Sequence, residues 1–252
     1  MGDVDIAERR RQMGKALREW ACTPRMIHSV QDGSWTFLSG LPSADVNMAL
    51  VHGGDPEELV GVIGAIDTIA APALLMFAGD GLALAGRAGA GWAHVGVMPF
   101  MAADVASTPQ QLDDRIRRAG REDADAIVML WADAFGLAPD IAAPIVEATL
   151  GYVGTDMSAW LLEVDGQPMS TVTTSRVDDV VTIWCMATPE RFARRGYGRA
   201  LLADAMARAA SAGVQVGLLG ATPAGRPLYD ATGWKTLEDW QIYTNGDSAQ
   251  FH

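Results

Sequence analysis

The chain has 252 residues, 49% of them hydrophobic, and a formal net charge of −12. That length suits one large or two small domains with a real core, and the charge argues against a nucleic-acid partner. No run of eighteen apolar residues reads as a membrane span, and the charged start, with Arg9, Arg10 and Arg11 close behind acids, is not a secretory leader. Cys22 and Cys185 lie far apart, which argues against a disulfide framework and for a reducing, cytoplasmic setting. The four histidines form no metal-binding cluster in the sequence, so no metal is expected.

Residues 5–22 read as a helix. Short strand-like runs follow at Trp35–Leu38 and Val46–Val51. Asp55-Pro56-Glu57-Glu58 is a helix start, with proline at the first helical position and acids in the first turn, and that helix runs to Ile69. Ala73–Phe77 is a buried strand, Gly81–Arg87 a short helix and Trp92–Met101 a closing strand. The polar, charged stretch Thr108–Gly120 reads as a linker.

The second half opens with helices near 121–136 and 140–150, the latter interrupted at its start by Pro139 and Pro144. Strands follow at Ala159–Val164, Met169–Ser175 and Val180–Ala187, joined by turns at Asp165-Gly166 and Asp178-Asp179. Next come the loop Thr188–Gly198, a helix from Arg199 to Arg208, a buried strand at Val214–Leu219 and a short helix within Thr222–Trp234, closed by Gly233. Antiparallel strands leading into crossover units imply an α/β chain with a mixed (α+β) sheet flanked by helices.

The loop carries the chemistry. It holds Arg191, Arg194, Arg195, Gly196 and Gly198, and Arg199 follows at once. Glycine lets backbone approach a ligand, and a helix N-terminus offers unpaired N–H groups and partial positive charge. Together they make a cradle for a phosphate or pyrophosphate. Residues 120–252 contain nine basic and seventeen acidic residues, yet four of those nine are Arg191, Arg194, Arg195 and Arg199. An acidic half thus gathers its positive charge at one place, as a bound polyanion requires. A dinucleotide fingerprint would need Gly or Ala where Leu201 stands, and no Gly-Lys-Ser/Thr run exists for a P-loop.

The loop resembles the signature of the GNAT acyltransferase superfamily, Gln/Arg-x-x-Gly-x-Gly/Ala. Gly196 and Gly198 take the two glycine positions, and Ala193 departs from the usual Gln or Arg. Leu228-Tyr229 followed by Gly233-Trp234 resembles the family's Leu-Tyr-x-x-x-Gly-Phe ending. The resemblance covers roughly residues 120–245. It implies a GNAT-like fold there and an N-acetyltransferase that moves an acetyl group from acetyl-CoA to an amine of a small molecule or peptide. It implies that Met186, Ala187 and Thr188 engage the pantetheine and thioester. The pyrophosphate falls to Ala193, Arg194, Arg195, Gly196, Tyr197, Gly198 and Arg199. Thr222 stands where many relatives place an Asn near the pantetheine arm, and Tyr229 is the expected acid for the departing thiolate. No metal is implied, and a homodimer is admissible.

No base is evident. Glu163, Asp156 and Glu190 are candidates that also read as solvated surface acids. Trp160, Trp184 and Trp131 are candidates for an acceptor pocket, with core packing the competing role. Cys185 reads as a packed strand thiol rather than a nucleophile. A non-catalytic acyl-CoA-binding regulatory module is the alternative function.

A shift of 142 residues lays Gly54 on Gly196, Met76-Phe77-Ala78 on Leu218-Leu219-Gly220 and Gly91-Trp92 on Gly233-Trp234. On this reading residues 1–115 are a degenerate GNAT-like structural domain and 120–252 the catalytic one. The competing explanation is chance overlap in a chain with 27 glycines. In the first copy Asp55 and Pro56 replace Tyr197 and Gly198, Glu57 and Glu58 bring negative charge, and Arg87 falls on Tyr229.

Overall fold

The structure, a computed structural model, describes residues 5–18, 20, 22–154 and 156–247. The chain divides into two compact units: one spans Met101–Lys235, and the other joins the stretch up to Phe100 with the stretch from Thr236 onward. The boundary therefore falls before the expected linker, and the last strand belongs with the first half of the chain rather than the second.

The first unit begins with α1 (Ile6–Lys15), whose N-cap Asp5 accepts from the Glu8 N–H at 3.1 Å. The helix stops at Lys15, short of the expected 5–22, and a turn follows. Leu17 and Trp20, just past the helix end, are buried. Strands β1 (Ile27–Val30), β2 (Ser34–Leu38) and β3 (Asn47–Val51) form an antiparallel meander. Helix α2 (Pro56–Ile69) crosses over to β4 (Leu74–Phe77), which pairs parallel to β3. Val62, Ile66 and Ile69 of α2 pack on Leu38, Val51, Leu75 and Phe77 of this sheet. The expected short helix is a 3-10 segment, Gly79–Arg87. Strand β5 (Ala93–Asp104) runs through the boundary between the units.

In the second unit the linker stretch contains β6 (Ile116–Arg118). Then come α3 (Ala124–Phe135) and α4 (Pro139–Gly151), with Pro139 in the first turn and Pro144 inside. The strands β7 (Met157–Val164), β8 (Gln167–Val177) and β9 (Val180–Ala187) follow. Helix α5 (Tyr197–Ser211) leads to β10 (Val216–Gly220), and α6 (Arg226–Asp230) closes the unit. The expected linker is thus sheet edge: β6 pairs antiparallel with β7, with Ile116 buried and Arg117 and Arg118 exposed. The sheet runs β10-β9-β8-β7-β6. All its pairs are antiparallel except β9 with β10, which makes it mixed. Leu201, Leu202, Ala205, Met206 and Ala209 of α5 pack on Leu162, Val172, Val181 and Ile183, with Tyr229 and Trp234 in the same core.

The final strand, β11 (Lys235–Thr244), pairs antiparallel with β4, Gln241 opposite Phe77, and completes the first unit's sheet. The Arg10 guanidinium holds the Glu238 carboxylate of β11 in a two-point ion pair, the geometry that suits Arg to carboxylate. Trp240 stacks on Phe100 at 4.7 Å between centroids.

Element order repeats between the halves. Each has an antiparallel meander, a crossover helix and a strand parallel to the meander's last. Under the 142-residue shift β4 falls within β10, the start of β5 on the start of β11, and Pro56 one residue inside α5.

Candidate active site

Three backbone features converge at the C-terminal end of β9. The first is a splay: β9 and β10 pair only from Val180–Thr182 against Val216–Leu218. Residues 183–187 of β9 run on without a registered β10 partner, which opens an edge of N–H and C=O groups.

The second is a bulge. The β8–β9 register passes from Thr173↔Trp184 to Thr171↔Ala187, so β9 carries one extra residue there. Cys185 takes it up with φ +46°, a left-handed conformation that costs an L-residue about 1 kcal/mol or more. A bulge bends its strand and re-aims the groups beyond it. Those groups are Met186, Ala187 and Thr188. Burial pushes the Cys185 thiol up to about 12, which disfavours the nucleophilic thiolate.

The third is the loop. A 3-10 turn at Glu190–Phe192 brings the Ala193 N–H to the Glu190 carbonyl at 3.0 Å. Arg194 (φ +59°) and Gly196 (φ +83°) then turn the chain left-handed into α5. No side chain caps that helix, no acid lies in its first turn, and the Ala200 N–H donates to the Gly196 carbonyl at 2.9 Å. The N–H groups of Tyr197, Gly198 and Arg199 precede that bond, so the helix leaves them for another acceptor. Tyr197 itself is half-buried against the core.

The arginines divide. Arg194, Arg195 and Arg199 are exposed and have no ion-pair partner among the described residues. Arg191 is engaged: its guanidinium pairs with Asp133 on α3 and lies over the Phe192 ring at 4.5 Å. Three free cations therefore surround the helix start, not the four that the sequence suggests.

Helix α6 brings the last element to this place. A β-carbon built on Gly198 would stand 3.4 Å from Leu228 Cδ2 and 3.6 Å from Thr188 Oγ1. Tyr229, next to Leu228, is buried, its ring 5.8 Å from that of Trp234. Burial raises its phenol well above the ordinary range, so it stays protonated as a donor must. Thr222 Oγ1 accepts from the Gly225 N–H at 3.2 Å and serves the turn into α6.

The candidate bases are occupied or peripheral. Glu163 is held by the Arg117 guanidinium at 2.7 Å, which Asp123 shares. Asp156 is exposed and 3.3 Å from Arg176, and Glu190 is exposed. The tryptophans are structural in part. Trp160 lies under the Arg208 guanidinium at 4.0 Å and donates to Thr174 Oγ1. Trp184 donates to Thr182 Oγ1 at 2.7 Å. Trp131 is buried on α3, and its indole N–H has no partner among the described residues.

One residue escapes a motif search. Ser170 on β8 is fully buried, donates to the Ala187 carbonyl at 2.8 Å and stands 2.6 Å from Thr188 Oγ1. The only sequence signal is that β8 is rich in Ser and Thr, Ser170-Thr171-Val172-Thr173-Thr174-Ser175, where a core strand would favour Val or Ile.

The model of the acetyltransferase (GNAT) family matches residues 125–234, from α3 to the residue before β11. Over residues 125–234 the chain is therefore similar to the GNAT family. A mycothiol acetyltransferase of Clavibacter michiganensis subsp. michiganensis is 38% identical over 99 residues, which is 38% of this chain and 32% of that protein. The alignment thus spans about a third of the relative's length. Among solved structures, a GCN5-related N-acetyltransferase from Kribbella flavida superposes with TM-score 0.67 at 18% identity, covering 98% of each chain. A putative GNAT acetyltransferase from Novosphingobium aromaticivorans gives 0.58 at 13%, covering 88% of this chain and 92% of that one. At such identities these two speak to the fold, and they do so for both halves. The splay, the bulge and the uncapped α5 all lie within the matched span. Among the described residues no group of three or more His, Cys, Asp or Glu is placed to hold a metal, and no helix is long and apolar enough to cross a membrane.

Proposed function

We propose that the GNAT domain transfers an acyl group, acetyl in the first instance, from acyl-CoA to an amine of a small molecule or peptide. The supporting observation is the uncapped start of α5 behind Gly196, with Arg194, Arg195 and Arg199 unpaired around it. Backbone N–H groups at a helix N-terminus suit a pyrophosphate, and the open edge of β9 leads from it toward α6. The first half is read as a degenerate copy without its own chemistry.

The reaction asks for three things. The amine nitrogen attacks the thioester carbonyl carbon, the C–S bond breaks, and the thiolate takes a proton while the new amide loses one. Tyr229 is the proposed proton donor. A phenol with a raised pKa is a weak acid, but a thiolate in the same dry surroundings is a correspondingly stronger base. The proton from the amine leaves to water, since Glu163 is bound to Arg117 and Asp156 and Glu190 lie at the surface.

That engagement of the carboxylates is the observation behind the second reading, an acyl-CoA-binding regulatory module. Calorimetry with acetyl-CoA and a thiol-release assay over a panel of primary amines separate the two. Binding with amine-dependent thiol release supports the enzyme. Binding without release from any amine supports the module, and absence of binding overturns both.

A further inference from the structure

Resting on the acyl-CoA reading, we propose that Ser170 is a positioning residue that aims the Thr188 N–H at an amide carbonyl of the pantetheine arm. Ser170 has one hydroxyl proton. It goes to the Ala187 carbonyl at 2.8 Å, so in the 2.6 Å contact the Thr188 hydroxyl is the donor and Ser170 Oγ the acceptor. One buried oxygen therefore grips the Ala187–Thr188 peptide from both sides, by its carbonyl and by the side chain that follows.

No peptide bond in the described chain is cis. In a planar trans peptide the C=O and N–H point in opposite directions. With the carbonyl fixed on Ser170, the Thr188 N–H points away from β8. That is the side on which β10 has parted from β9 beyond Thr182. Past the bulge at Cys185 the ladder resumes with Thr171 opposite Ala187, and Thr188 lies beyond that last registered pair, so the side-chain grip supplies the orientation that no strand pairing imposes there. An extended acyl-CoA arm carries amide carbonyls, which a fixed backbone donor can take as a missing strand would.

The test compares two ligands on the full chain by titration calorimetry: acetyl-CoA, and 3′-phosphoadenosine 5′-diphosphate, which carries the pyrophosphate but no pantetheine. Ser170→Ala is expected to weaken acetyl-CoA about five- to tenfold, the worth of one well-placed hydrogen bond. The nucleotide should change by less than about twofold. Thr188→Val keeps the Ser170–Ala187 bond and should show the same selectivity with a smaller loss, and it carries the test should Ser170→Ala fail to fold. Equal losses for both ligands, or none, overturn the role of Ser170 and leave the acyl-CoA reading standing. A wild-type chain that binds neither ligand overturns that reading and this inference with it.

Discussion

A β-carbon on Gly198 would meet Leu228 Cδ2 at 3.4 Å, an ordinary van der Waals contact. The protein itself can therefore accept a side chain at Gly198, and the residue is free of positive φ. Gly198→Asp is expected to fold, with a melting temperature close to wild type. Its carboxylate would stand at the proposed pyrophosphate site, and acetyl-CoA affinity should fall at least about tenfold from the repulsion between the two anions. Calorimetry beside a thermal melt checks this. Unchanged affinity in the folded variant would place the pyrophosphate elsewhere.

Tyr229→Phe removes one oxygen from a buried ring and keeps its packing on Trp234. Turnover should drop by about 10²–10⁴-fold, the usual range for a general acid. Acetyl-CoA affinity should hold, the pattern of an interaction made mainly in the transition state. The measurement is kcat on an accepted amine next to direct binding. Full turnover with chemistry rate-limiting would remove Tyr229 from the mechanism.

One acetyl-CoA should bind per chain. In the first half the helix start is already taken: Asp55 caps α2 by accepting from the Glu57 N–H at 2.9 Å, and Pro56 occupies the first turn. Glu58 folds back against Gly33 and Gly53, and a β-carbon on Gly53 would also stand 2.9 Å from the Gly33 backbone. Three carboxylates stand where α5 has none. A stoichiometry near two, with the second site lost on changing Gly54, would show that this half binds ligand.

His52 makes stability depend on pH. It is 4% exposed, its Nε2 has no partner among the described residues, and burial, aided by Arg10, lowers its pKa to about 4. The folded ring therefore binds a proton less readily than the unfolded one, whose pKa is about 6.5. Stability is fully present above that unfolded value and is lost as pH falls through about 4. The loss from this group is on the order of 3 kcal/mol over that window. Denaturant unfolding at pH 7.5 and 4.5 should show it, and His52→Gln should flatten the slope. Identical slopes in the two proteins would assign the acid sensitivity to other groups.

Much of the chain is written locally. Helix α2 runs from Pro56 to Ile69 as the sequence predicts, because Asp55, Pro56 and the acids of the first turn act within one turn of the chain. The succession of β9, basic glycine loop and α5 is legible for the same reason: strand and helix periodicities and glycine's freedom at Gly196 are properties of neighbouring residues. The four-residue β1 is not legible in the sequence, since half-buried Ile27–Val30 shows no alternation to read.

What the tertiary structure alone decided is which residues, distant in sequence, meet. Nothing in Lys235–Thr244 says that it pairs with β4 rather than with its own half, because a strand's partner is chosen by edges and burial formed elsewhere. The loop's four arginines look alike in sequence, and only the approach of Asp133 on α3 withdraws Arg191 from them. The splay at Thr182, the bulge at Cys185 and the hold of Ser170 on Ala187 likewise depend on register between strands. Local dihedral preferences settle the elements one by one, while pairing and side-chain contacts are settled only when the whole core closes around them.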